Sequence, residues 1–158
     1  MPQTAAITFA VVFATLWVAH SFGDHWVQTS AQSMAKGKPG WTGRLADTRH
    51  VLTLTLTKGI LLAVSATVLD LRLSVVGLFL GLGLDAASHW WADRRSTLAR
   101  LAELVGQGEF YKLGSDTVHT TTAEDGITGK HLGGGAYALD QSFHALFLFF
   151  AALIIAAL

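Results

Sequence analysis

The stretch LGLDAASHWWADRR, Leu82 to Arg95, closes an apolar run suited to lipid, yet it carries Asp85, His89 and Asp93 four residues apart. At helical periodicity that spacing puts all three on one face. A carboxylate exposed to hydrocarbon costs roughly 2.5–3.5 kcal/mol even on the lenient insertion scale, so this face must turn inward. The expectation is a bundle of membrane helices whose interior is polar near one end.

The remainder of the chain extends that pattern. Of 158 residues, 51% are hydrophobic and 14% charged, and the mean hydropathy is +0.44. A membrane-spanning helix needs about 20 predominantly apolar residues. Four stretches approach that length: Ala5–Gln28, Arg49–Leu69, Leu73–Ala92 and Ala136–Leu158. The fold class expected is therefore all-α, a polytopic membrane protein with a four-transmembrane-helix bundle as its single domain, residues 1–158, and loops at 29–48 and 93–135. The first loop, TSAQSMAKGKPGWTG, reads as turn-rich. In the second, STLARLAELVG places Leu98, Leu101, Leu104 and Val105 at helical spacing, which predicts a short amphipathic surface helix, followed by a glycine-rich, mobile remainder. The first stretch lacks a basic n-region and an A-x-A site and carries His20 and Asp24, so it reads as a retained helix rather than a signal peptide.

Composition also excludes functions. A formal net charge of zero argues against a nucleic-acid partner, and the absence of cysteine rules out disulfides, thiolate metal sites and a cysteine nucleophile. Lys36, Lys38, Arg44, Arg49, Arg94, Arg95, Arg100, Lys112 and Lys130 fall on the side of the long loops, against Arg72 opposite. The positive-inside rule then predicts cytoplasmic loops, both termini outside, and a cell inner membrane. Trp26, Trp41, Trp90 and Trp91 gather near one boundary, as an aromatic belt does.

At that boundary every segment contributes polar residues. The first carries His20, Asp24 and Gln28; the second opens with His50; the third ends with Asp85, His89 and Asp93; the fourth begins with Asp140, Gln141 and His144. The apolar residues after His144 make roughly 21 Å of helix against a core of about 30 Å, so His144 must itself lie within the membrane. Clustered carboxylates repel one another, and a cation held by oxygens and imidazoles neutralises them. Expected metal ligands are His20, Asp24, His50, Asp85, His89, Asp140 and His144, enough for one or two divalent ions of zinc, manganese or iron. Asp93, nearest the cytoplasm, is expected as general base, with Gln28 or Gln141 donating to a developing oxyanion. A metal-free hydrogen-bonded network is the rival reading.

Other polar residues read differently. His25 lies about 100° round the helix from Asp24 and is expected at the interface; His119 and His131 are expected as solvent-exposed loop residues. Asp47, three residues before His50, either orients its imidazole or caps the helix. Lys58, near the middle of its segment, pairs with an aspartate, marks an ion path or snorkels.

The motifs HSFGDHWVQ, DAASHWWAD and DQSFH, with a lysine-bearing loop before His50, resemble a family of small integral membrane proteins of bacteria and phages grouped as a domain of unknown function. A looser similarity is to membrane-bound metal-dependent hydrolases. The family resemblance implies a shared polar site across the four segments and names no reaction. The expected function is a metal-dependent hydrolase acting at the cytoplasmic membrane face on a lipid or another membrane-associated substrate, with the bilayer as partner and room for an oligomer. The alternatives are a divalent-cation or proton transporter, and a non-enzymatic membrane partner with a structural metal or polar network.

Overall fold

The structure is a computed structural model that describes residues 5–115, 120–130 and 133–158. His119 and His131 lie outside the described residues. The elements in chain order are α1 (Ala5–Phe22), a π turn (Gly23–Val27), α2 (Ser30–Ala35), α3 (Gly40–Val68), α4 (Val75–Asp93), α5 (Ser96–Leu104), α6 (Gly108–Lys112), β1 (Thr120–Thr122), β2 (Thr128–Lys130) and α7 (Gly134–Ala157). The all-α expectation holds, with one small addition. Where a mobile remainder was expected, β1 and β2 pair antiparallel with Thr120 opposite Lys130, closed by a turn with Gly126 at φ 78°.

Among the described residues, three helices are long and apolar enough to cross a membrane: Ala5–Val27, Gly40–Val68 and Gly134–Ala157. The expected fourth, α4, is not among them, because Asp85, Ser88, His89 and Asp93 crowd its second half. The surfaces of the three fit lipid. Only 28%, 22% and 33% of their most apolar windows is buried. On α3, Leu52, Leu56, Ile60 and Val64 form an exposed stripe at four-residue spacing, while Leu54, Lys58 and Leu62 point inward. In water such a stripe would be an unusually large apolar patch; hydrocarbon is its natural solvent.

The expected first helix, 5–28, continues to Val27 but changes its winding near the end. Gly23 approaches Leu54 so closely that a Cβ would lie 2.4 Å from Leu54 Cδ1, and the backbone there widens into a π turn closed by Gln28 N–H donating to the Gly23 carbonyl at 3.0 Å. Gln28 then turns extended, with ψ 128°, so it leaves the helical face predicted for His20 and Asp24. Thr29 caps α2 in a reciprocal capping box with Gln32. The next helix begins at Gly40, after Pro39, rather than at Arg49; Gly40 takes φ 77°, a conformation open to glycine, and the predicted loop therefore holds α2 and the first turns of α3.

The chain divides into two compact units. The first comprises Met1–Gln28, Leu52–Ser88 and Ala145–Leu158. Its core joins Val12 and Leu16 to Leu62, Leu148, Ala151, Ala152 and Ile155, with Leu78 and Leu82 packed against them. Gly81 permits a close approach to α7, since a Cβ there would meet Ile155 Cγ1 at 2.6 Å and the Ala151 carbonyl at 2.8 Å. The second unit comprises Thr29–Val51 and His89–His144. Here Trp91 stacks on Phe143, Gly129 of β2 abuts Met34 of α2, and the start of α7 packs on the α6 carbonyls at Gly135. On α5, Leu98 and Ala102 are buried and Leu104 is exposed, the two-sided pattern its spacing predicts.

Candidate metal centre

In the second unit the first turns of α3, the last of α4 and the first of α7 carry His50, His89 with Asp93, and Asp140 with His144. All five are buried. Asp93 stands at their centre and uses its two oxygens on different partners. Its Oδ2 lies 3.1 Å from His89 Nε2 and 3.5 Å from His50 Nε2, and those two nitrogens are 3.0 Å apart. Its Oδ1 lies 2.9 Å from Lys36 Nζ and 4.0 Å from His144 Nε2. The His144 ring stacks on that of His89, centroids 3.9 Å apart, and its Nε2 is 3.5 Å from Asp140 Oδ1. Gln141 donates to the other Asp140 oxygen, Oδ2, at 3.3 Å.

Two imidazole nitrogens and a carboxylate oxygen thus converge with edges of 3.0, 3.1 and 3.5 Å. Tetrahedral ligands at the zinc–nitrogen distance of 2.0–2.1 Å are about 3.3 Å from one another. The triangle therefore has the dimensions of one face of a metal's ligand shell. Hydrogen bonding alone accounts for it less well, because a neutral imidazole places one proton on only one of its nitrogens. The ligand atoms of His89, Asp93 and His144 also lie within 4.8 Å of one another, a second grouping able to hold an ion.

Three contributors fall outside the sequence reading of the site. Lys36, in the loop after α2, is buried with its ammonium on Asp93. Arg94 donates to the Lys36 and Lys38 carbonyls, both at 2.5 Å, and its Nη1 is 4.0 Å from the fully buried Asp47. Arg95 adopts φ 56°, costly for a residue with a Cβ, and donates to the Ser33 carbonyl at 3.1 Å. Consecutive arginines at the end of α4 thereby hold the loop that presents Lys36. Periodicity could not reveal this, since Lys36 belongs to no long helix; the lone signal was a lysine in the loop before His50. Tyr111 of α6 donates to the Arg95 carbonyl at 3.4 Å. Burial pushes its phenol above the usual value of 10.0, opposed by Arg95 and reinforced by the charge of Asp140.

The other predicted residues belong to the first unit. His20 is buried, Asp24 and Gln28 are half-buried, and Asp85 is engaged by Lys58, Nζ to Oδ2 at 2.5 Å, with both groups buried. Of the partners weighed for Lys58, the structure shows Asp85. His25 is exposed, its Nδ1 2.8 Å from the Ser21 carbonyl. Asp47 sits inside α3, not at its start, and Arg94 approaches it.

Comparison with known protein families, with curated proteins and with solved structures finds no match for this chain. The three sequence motifs therefore carry weight through their geometry alone.

Proposed function

We propose that the protein is a membrane metalloprotein in which His50, His89 and Asp93 hold a divalent ion that activates water for hydrolysis of a membrane-associated substrate. The observation that carries this reading is the triangle of two Nε2 atoms and one carboxylate oxygen with edges of 3.0, 3.1 and 3.5 Å. Three protein ligands leave positions open for water and substrate, as catalytic metal sites do. A bound ion would lower the pKa of its water toward about 7. Asp93, expected from sequence as a base, becomes a ligand in this reading, and Asp140, beside His144, takes the proton. Gln141, whose amide donates to Asp140, would supply its other N–H to a developing oxyanion in this reading.

The bilayer enters because α3 and α7, which carry His50, Asp140 and His144, are long and apolar enough to cross it, and in this reading α4, more polar in its second half, joins the three apolar spans as the fourth helix of the membrane domain. The excess of basic residues among the long loops orients the centre toward the cytoplasm of a cell inner membrane, with both termini outside. Membership of the small membrane-protein family suggested by the motifs fits this arrangement.

Two histidines with one carboxylate also suit iron(II) with open positions, which favours oxygen chemistry as the second reading. The decisive experiment is metal content by mass spectrometry, on protein purified in mild detergent without chelators, for wild type, His89→Ala and His25→Ala. A transition metal retained in wild type and His25→Ala but lost in His89→Ala, with helix content unchanged, supports the site. Zinc or manganese with turnover of ester or phosphoester lipids favours hydrolysis, iron with oxygen consumption favours the second reading, and cation flux in proteoliposomes without turnover favours transport. No metal in wild type after reconstitution with zinc, manganese and iron(II) sinks the proposal.

A further inference from the structure

Asp93 divides its oxygens as a bridging carboxylate does. Oδ2 faces His50 and His89, whereas Oδ1 faces His144, whose Nε2 also neighbours Asp140 Oδ1 at 3.5 Å. His144, Asp140 and the second oxygen of Asp93 are therefore half of a dinuclear ligand set, of the mixed imidazole and carboxylate kind that helix bundles use for paired ions. At Asp93 Oδ1, the oxygen such a second ion would share, the protein supplies a cation of its own. Lys36 Nζ is 2.9 Å from Asp93 Oδ1, and the side chain is buried. It is held there by its backbone, since Arg94 binds the Lys36 and Lys38 carbonyls and Arg95 the Ser33 carbonyl. Two glycines around this loop are too tightly packed for a side chain: a Cβ at Gly43, in the first turn of α3, would strike the Lys38 carbonyl oxygen, and one at Gly37 would strike Arg95.

We infer that Lys36 occupies a second, latent divalent-metal subsite formed by Asp93, Asp140 and His144, and so keeps the centre mononuclear. The inference rests on the proposed function, because the first ion at His50, His89 and Asp93 is its premise. An ammonium at contact distance from Asp93 Oδ1 excludes a divalent ion from the same oxygen by like charge and by volume. Removing the ammonium while keeping its apolar stem leaves Asp93 with an uncompensated oxygen, which a second ion neutralises.

The test is metal stoichiometry after reconstitution with zinc, manganese or iron(II) separately, desalting in detergent and mass spectrometry. Wild type and Lys36→Arg are expected to hold one ion, and Lys36→Met and Lys36→Gln two. The double variant Lys36→Met/His144→Ala returns to one, which locates the added ion. Circular dichroism establishes that each variant is folded, and either of the two neutral substitutions suffices. One ion in both wild type and a folded neutral variant overturns the inference while leaving the first site standing. Two ions in wild type, or none in the neutral variants, overturns it as well. None in wild type with any metal removes the premise and refutes the proposed function with it.

Discussion

Lys58 and Asp85 make the sharpest stability test, because neither has water to turn to. Lys58 is 0% exposed and Asp85 2%, and their charged atoms are 2.5 Å apart within the first unit. Replacing Lys58 with methionine keeps most of the side-chain volume but leaves Asp85 a buried carboxylate without its cation. Removing one member of a buried pair costs about 3–5 kcal/mol, which multiplies the unfolded fraction by roughly two to four powers of ten. Asp85→Asn should also destabilise, by removing the carboxylate that neutralises the buried ammonium. Joint replacement by Lys58→Met and Asp85→Leu should recover most of the loss, since an apolar pair of like volume is often neutral or stabilising. The assay is reversible denaturant unfolding in mixed micelles, followed by far-ultraviolet circular dichroism for the four proteins of the cycle. Single variants within about 1 kcal/mol of wild type, or a double variant as unstable as the sum of the singles, would refute the claim that this pair is desolvated and mutually dependent.

Three further outcomes follow from contacts elsewhere. Gly81→Ala should destabilise by about 1–3 kcal/mol because its Cβ meets the Ala151 carbonyl, whereas Gly83→Ala on the same helix meets nothing within 4 Å and should be neutral or stabilising; equal effects in thermal unfolding would contradict the packing described. The raised Tyr111 phenol means that the folded state holds this proton more tightly than the unfolded state, so its contribution is complete below the ordinary value of 10.0 and is lost as pH rises through the folded value. Tyr111→Phe should accordingly lose less stability than wild type above that pH, and parallel melting curves across the alkaline range would argue otherwise. Arg94→Gln removes two charge-assisted hydrogen bonds from the Lys36 loop, worth about 1.5–3 kcal/mol each, so exchange of the hydrogen-bonded Lys36 and Lys38 amides should accelerate at least tenfold; unchanged protection would show that the arginine does not hold the loop.

The chain announces its helices and its polar faces through local regularities. Long apolar runs predict the helices, although only three of the four expected spans are long and apolar enough among the described residues to cross a membrane, and four-residue spacing from Asp85 to Asp93 predicts an inward polar face, because side-chain direction in a helix depends on position. Leu98 and Ala102 buried on α5, opposite exposed Leu104, follow from the same rule. The breaks obey longer-range causes. Nothing local distinguishes the HSFGDHWVQ segment from a regular helix; the π turn arises where Gly23 meets Leu54, far away in sequence. Pairing is likewise invisible in one dimension. Four aspartates and four histidines at matching depth imply a charged interior, but periodicity assigns no partner to Lys58, and it placed Lys36 in a featureless loop. Folding assigns Lys58 to Asp85 and Lys36 to Asp93, because a buried charge must find its counter-charge wherever the backbone brings one within reach.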